Sequence, residues 1–515
     1  MNNGATDIVI GSGPSALATV EGILEKGRKV TVVDAGEKLE ANRAALRDAL
    51  GATKPDGWDD DTLAELRSRQ HDITDSVARF GSRFALRSRD DVVFPANPNV
   101  VLQSSRAFGG LSNVWGAAVL PWAPGDLAGW PIAPADLQPH YTAIGSIVSI
   151  AGSAASFDDI LATGDLPLAR RLPATRQAEA LLRRLKPTTT QGGAQFWPGP
   201  ARQAAGPDCL ACGLCLYGCP YGQIFNSSEK MAAHLREGRI EYQQAEVVRI
   251  RESGEGVTLD IADGRPPITG ARVFVATGVL ETARLMFESD RELAERGMVL
   301  RDSRHFFTPH LTTWGAGNIS AAPHHTLALA FVELRDQAIS PWTVHSQLYG
   351  WNNFYAREMF EKYGRNLGLL QPLFERVARR LIVVQSFLHS DHCAKIHLQP
   401  ARGDPQHRLS AEVVEADGFE DRVGRVRRAM ARYLRRAGLI AITRAGQIGL
   451  PGSSFHIGAT LPMTKSPRRG NTDALGRPHG AIRIHVVDAS VMPAIPASTI
   501  TLSVMANAHR IATTA

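Results

Sequence analysis

Apolar residues fall in short blocks separated by glycine, and the first block sets the pattern. Asp7-Ile8-Val9-Ile10 is an apolar run long enough for one buried strand. Beyond a glycine-rich break, Leu17, Val20, Ile23 and Leu24 recur on one face of a helix. Gly27 ends that helix, and Lys29-Val30-Thr31-Val32-Val33 reads as a second strand closing on Asp34. Residues 39–84 are charged and helical, interrupted at Pro55-Asp56-Gly57, and residues 150–205 show no clear period. A helix over 227–236 leads to a strand pair at 245–251 and 257–261. Arg272-Val273-Phe274-Val275-Ala276 then enters Thr277-Gly278 and another helix, repeating the strand–glycine–helix order of the N-terminus. That repetition predicts one sheet assembled from distant segments. From 300 to 450, strands at 381–388 and 395–398 alternate with helices near 356–363 and 419–436.

The first break is Gly11-Ser12-Gly13-Pro14-Ser15-Ala16, a G-x-G-x-x-A turn between strand and helix. Gly11 permits the tight turn, Gly13 lets backbone approach a pyrophosphate, and Ala16 lets helix and strand pack closely. The N–H groups at the helix start are open to phosphate, and Asp34 can take a ribose hydroxyl pair. The whole unit predicts dinucleotide binding, against a structural turn in an ordinary α/β sheet. A second stretch, Gly109-Gly110-Leu111-Ser112-Asn113-Val114-Trp115, suits a flat ligand or a plain loop equally well.

Size and charge add bounds. The chain has 515 residues, 44% of them hydrophobic and 21% charged, enough for two or three domains' worth of core. The net charge of +6 is spread along the chain, so no nucleic-acid partner is expected. Its densest cluster is Arg422, Arg425, Arg427, Arg428, Arg432, Arg435 and Arg436, interleaved with Val423, Val426, Met430 and Leu434. That pattern predicts a solvated outer helix face; an acidic partner or membrane surface is the sharper alternative. No apolar run reaches the ~18 residues of a membrane span, though peripheral association stays open. No signal peptide precedes the first strand, so a cytoplasmic location is expected.

Cysteine usage is uneven. Four of the five cysteines form Cys209-x2-Cys212-x2-Cys215-x3-Cys219-Pro220, the spacing of bacterial ferredoxins. In two-cluster ferredoxins the fourth cysteine serves the other cluster, and no second run exists here. Cys219 therefore joins the same cluster or leaves three protein ligands. Zinc is the alternative, but zinc sites usually pair two knuckles across a longer loop. Cys393 reads as a small buried hydrophobe, with a fourth-ligand role as the outside reading.

Taken together, these pieces resemble the glucose–methanol–choline (GMC) oxidoreductases. The N-terminal unit is similar to that family's FAD-binding motif, and residues 109–115 to its glycine-rich flavin loop. Val275-Ala276-Thr277-Gly278-Val279-Leu280-Glu281-Thr282-Ala283-Arg284-Leu285 resembles its second signature. Ser454-Phe455-His456-Ile457-Gly458-Ala459-Thr460-Leu461-Pro462-Met463 resembles its H-x-x-G-T-x-x-M segment, and residues 486–493 its V-x-D-x-S-x-x-P strand. The resemblance implies an α/β fold: a Rossmann-type FAD-binding domain with a sheet-containing α+β substrate domain. The expected division is 1–140, 226–300 and 451–515 for FAD, with 141–225 carrying the cysteine loop and 301–450 the substrate domain. It further implies FAD contacts at Gly11, Gly13, Pro14, Ser15, Ala16, Asp34, Gly109, Gly110, Ser112, Asn113, Val114, Val247, Gly278, Asp488, Ala489, Thr499 and Ile500. Some members attach FAD through a histidine just before the loop tryptophan; Val114 stands there, which rules that link out. The family's catalytic histidine corresponds to His456, and the His or Asn opposite it to Thr499.

A flavin with a base beside it suits hydride abstraction from a CH–OH group of a sugar, polyol or other secondary alcohol. The cysteine spacing also resembles that of cluster-bearing glucose dehydrogenase subunits in the family, whose cluster has three irons. Cys212 is the additional thiol that completes a [4Fe-4S] cubane; [3Fe-4S] remains the alternative. A one-electron cluster implies an external acceptor, a protein or a quinone. Two other readings stand beside this one: a ferredoxin-fed flavin reductase, and an electron-transfer subunit with no substrate of its own.

Overall fold

The computed structural model describes residues 6–67, 79–319, 322–352 and 371–515. The helix expected near 356–363, and residues 68–78 of the charged segment, lie outside them.

Five short strands form a parallel sheet in the spatial order Ile484–Val486, Arg272–Val275, Asp7–Ile10, Val30–Asp34 and Glu241–Gln244. One sheet is thus built from distant segments, as the repeated strand–glycine–helix order predicts. Asp7–Ile10 lies in the middle and is wholly buried, which suits a continuous apolar run. Its first residue is the exception that proves satisfiable: the buried Asp7 carboxylate pairs with Arg28 at 2.8 Å and Arg272 at 3.0 Å. The fifth strand, Glu-Tyr-Gln-Gln, has no apolar signature because it is the exposed edge. Helices Pro14–Glu25 and Thr501–Thr514 bury their apolar faces in the core beside this sheet.

The second large sheet is antiparallel and eight-stranded. Along it run Leu439–Ala441, His305–Thr312, Leu381–Phe387, Ser340–Tyr349, Ala330–Asp336, Gln195–Pro200 and Thr188–Thr189. Gln195–Pro200 and Thr188–Thr189 come from the stretch in which the sequence shows no period. Its two sides follow the two-residue alternation of strands. On one side Val332, Leu334, Val344, Leu348, Ile382 and Val384 pack in a core with Val423, Val426, Met430 and Leu434 of helix Phe419–Arg436. Arg425, Arg428, Arg432, Arg435 and Arg436 stand on that helix's exposed face. The other side presents Glu333, His345, Gln347, Tyr349, Gln385 and Phe387, and it faces the site described next. Among the described residues no helix is long and apolar enough to cross a membrane.

Candidate active site

A cavity of about 390 Å³ opens between the two sheets. Its floor is the first glycine turn. Gly11 has φ +107°, and a Cβ there would lie 2.5 Å from the Ala276 carbonyl oxygen. Only glycine satisfies both conditions. The second glycine loop closes on the first: a Cβ on Gly110 would sit 3.1 Å from the Gly13 Cα. Ser12 Oγ stitches the two together, donating to Asp34 at 2.6 Å and accepting the Gly109 N–H at 2.8 Å. Burial drives the Asp34 carboxyl up to about 7, against the opposing pull of that Ser12 bond. Asp488 sits opposite, at the start of helix Val279–Ser289, accepting from the Gly278 N–H at 2.9 Å and the Thr282 hydroxyl at 2.6 Å.

Gly11, Gly13, Pro14, Ser15, Asp34, Gly110, Ser112, Val114, Val247, Gly278, Asp488, Ala489, Thr499 and Ile500 all line this one cavity. Three expected contacts stand behind the wall instead. Ala16 is fully buried in its helix. Gly109 backs onto Asn226 and Ser228. Asn113 braces the loop from within, donating to Gly110 O at 2.8 Å and accepting from Asn226 at 2.7 Å. The uncapped helix start, the close backbone approach at Gly11 and the buried acid at the second strand's end fit a dinucleotide.

His456 reaches the cavity from a loop that Asp302 anchors. Asp302 accepts from the Gly452 N–H at 2.7 Å and from Ser454 Oγ at 2.5 Å, and Ser454 Oγ accepts the His456 N–H at 3.0 Å. The imidazole stacks on Phe387, with ring centroids 4.8 Å apart, and its Nδ1 is buried with no hydrogen-bond partner. Burial, then the neighbouring His345 and His305, push its pKa down to about 3. Thr499 Oγ1 accepts the Leu120 N–H at 2.7 Å, so its own proton is the one left to donate.

Further wall residues carry no motif. Arg106 and Arg284 both bond Glu246, while Arg284, Arg87 and Ser104 hold Glu281. Burial opposes the Glu281 charge, yet Arg284 and Arg87 outweigh it and hold the carboxyl down to about 2. Gln347, Tyr349, Gln385 and Phe387 come from the antiparallel sheet. The available signal is the every-second-residue run of His345, Gln347 and Tyr349 in one strand.

The sequence pattern of the GMC oxidoreductases matches residues 406–508. That segment is similar to the C-terminal part of GMC oxidoreductases. No curated protein matches the chain. Among solved structures, pyridoxine 4-oxidase from Mesorbium loti superposes with a TM-score of 0.58 at 15% identity, over 99% of this chain and 98% of that one. At that identity the likeness speaks to the fold. The chain shares that structure's α/β fold, and the matched segment contains both His456 and Thr499.

The cysteine loop lies beside the second glycine loop and not in the cavity. Arg79 ties the two, donating to Leu216 O on one side and to Val114 O at 2.8 Å and Trp115 O at 3.3 Å on the other. Trp115 and Ser112 wall the main cavity and also a second one of about 350 Å³ that Cys215 and Cys219 line. Each thiol accepts a backbone N–H: from Ala211 to Cys209 at 3.4 Å, from Leu214 to Cys212, from Thr326 to Cys215, and from Gln223 to Cys219 at 3.3 Å. Such bonds are what cluster sulfurs and their ligands use. Burial raises the Cys209 thiol to about 11 and Cys212 to about 12, and pushes Cys215 in the same direction. Among the described residues, no three His, Cys, Asp or Glu side chains converge closely enough to hold a metal ion. Cys393 lies elsewhere, in the core under the antiparallel sheet, bonded to Leu388 O and His389 O.

Proposed function

We propose that this chain is a GMC oxidoreductase, an FAD-dependent dehydrogenase. It oxidises a CH–OH group of a sugar, polyol or other secondary alcohol. An iron–sulfur cluster held by the cysteine loop would supply one-electron passage to an external protein or quinone. The observation that carries the reading is the meeting of His456 and Thr499 with the glycine turn, Asp34 and Asp488 on one cavity. The oxidase name of the structural neighbour is in keeping with the oxidative direction.

Gly11, Gly13, Asp34, Val247, Gly278 and Asp488 would hold FAD, which supplies a hydride acceptor when bound. With its pKa near 3, His456 is neutral at working pH and has a bare ring nitrogen to accept the hydroxyl proton. Thr499 donates its hydroxyl proton to the alcohol oxygen and so orients it. Phe387, stacked on the imidazole, keeps the ring from turning away. Cys209, Cys212, Cys215 and Cys219 would hold the cluster, [4Fe-4S] with all four thiols and [3Fe-4S] with three; it supplies one-electron steps. Its backbone N–H donors stand in place on the four sulfurs.

The test is anaerobic purification followed by assays for flavin, iron and acid-labile sulfide, then a screen of hydroxyl compounds for flavin bleaching. All three components and a bleaching alcohol are expected. Stoichiometric zinc without sulfide would end the cluster reading, and no bleaching by any alcohol would end the dehydrogenase reading.

A further inference from the structure

On the cavity side of the antiparallel sheet, four side chains form one hydrogen-bonded row. Glu333 and His345 face each other across adjacent strands, and both are fully buried. His345 Nδ1 lies 2.5 Å from Glu333 Oε1, and its Nε2 lies 3.1 Å from Gln347 Nε2. The Tyr349 hydroxyl donates to Gln347 Oε1 at 2.5 Å.

The proton positions follow from Tyr349. An amide oxygen only accepts, so the Tyr349 O–H donates and the Gln347 NH₂ points at His345. His345 Nε2 must then be bare, which puts the imidazole proton on Nδ1. Glu333 Oε1 accepts that proton. Gln347, only 4% exposed, is left with its rotamer and its amide orientation both fixed. One of its two N–H bonds goes to His345, and the other has no partner among the described residues.

Gln347 lines the cavity, as does Gln385, its partner in register on the next strand. Two residues beyond Gln385 is Phe387, on which His456 stacks. The two amides thus stand beside the base. A buried amide beside a half-buried one is poor company for a hydrocarbon and good company for a hydroxyl.

We propose that Gln347 is a specificity residue. Locked by Tyr349, His345 and Glu333, it donates its remaining N–H to a second substrate hydroxyl beside the one being oxidised, so the site selects vicinal diols such as sugars and polyols over mono-alcohols. A site built to bond a hydroxyl rejects the analogue lacking it, because its own polar groups are then left unpaired. Glu333 and His345 act through Gln347 and are positioning residues.

This rests on the reading of hydroxyl oxidation, and a matched pair of probes separates the two. The FAD-loaded protein is mixed anaerobically with trans-cyclohexane-1,2-diol or with cyclohexanol, and flavin bleaching is followed. Diol binding is read separately from the flavin difference spectrum. The wild type should prefer the diol by at least about tenfold in kcat/KM. Gln347→Leu should shrink that preference to about threefold or less and raise the diol Kd. Tyr349→Phe, which keeps the strand's shape, should shrink it by a smaller factor. Glu333→Gln should raise KM for the diol by a larger factor than it lowers kcat. Equal losses on both alcohols in Gln347→Leu, or equal wild-type rates on both, overturn the inference while leaving alcohol oxidation standing. Failure of both alcohols and of a sugar panel to bleach the flavin overturns the functional reading and this inference with it.

Discussion

The main cavity draws its wall from residues as far apart as Gly11 and Thr499, whereas the cysteine loop takes all four thiols from residues 209–219. Sequence distance would favour the loop as the better-formed site, and the structure has it the other way. The cavity is shaped by backbone: the close approach at Gly11, the anchored 452–456 loop and the N–H donor on Asp488. The cysteine loop has its N–H···S bonds in place, but burial raises Cys209, Cys212 and Cys215, and among the described residues no three such side chains converge on a metal position. A site of packed backbone is preformed by folding. A site of thiols is closed by its metal, which also drives off the protons.

That contrast can be broken most sharply at the thiols. Cys215→Ser should abolish bound iron and acid-labile sulfide while FAD stays at full occupancy, measured by metal and flavin analysis. Joint loss of both would show one shared scaffold. Next in size is His456→Ala, expected to slow flavin reduction by roughly 10²–10⁴-fold in anaerobic stopped-flow. Because burial holds His456 near 3, the imidazole is deprotonated throughout the neutral range, and the rate should be flat from pH 5 to 8 as far as this group is concerned. An ordinary histidine near ~6.5 would instead give a rate rising through that range.

Gly11→Val tests preformation on the backbone side. The strained φ and the Ala276 carbonyl 2.5 Å away should cost on the order of 1–3 kcal/mol, read as one to two decades in FAD affinity by flavin titration. Unchanged affinity would mean that the turn does not carry the cofactor. Smallest is Thr499→Ala, which removes one neutral hydrogen bond, about 0.5–1.5 kcal/mol or roughly tenfold at most in the same stopped-flow assay. A loss matching that of His456→Ala would make the Thr499 hydroxyl part of a proton relay. With Val114 at the attachment position, acid precipitation should release the flavin to the supernatant; colour kept by the pellet would contradict that.

Legibility followed the same physical divide. The parallel sheet was readable because buried central strands are continuous apolar runs bounded by glycine, as in Asp7–Ile10 and Arg272–Val275. Its edge strand Glu241–Gln244 was not, since an exposed edge needs no apolar residue. Gln195–Pro200 was hidden by its own prolines, which read as loop. At the site, the glycine turns, Asp34, Asp488, His456 and Thr499 were legible because their spacing is tied to a motif. Gln347, Tyr349 and Gln385 were not, because they meet only through sheet register. Helix Phe419–Arg436 was found from its amphipathic period to the residue.

The order of electron arrival is the measurement that bears most directly on the central claim. FAD- and iron-loaded protein is mixed anaerobically with a reducing alcohol or sugar, and flavin absorbance and the cluster's paramagnetic signal are followed together. The account predicts that the flavin bleaches first, that the cluster is reduced after it, and that His456→Ala delays both. Flavin that no hydroxyl compound bleaches, but that a reduced ferredoxin bleaches through the cluster, would contradict it and reverse the direction of flow.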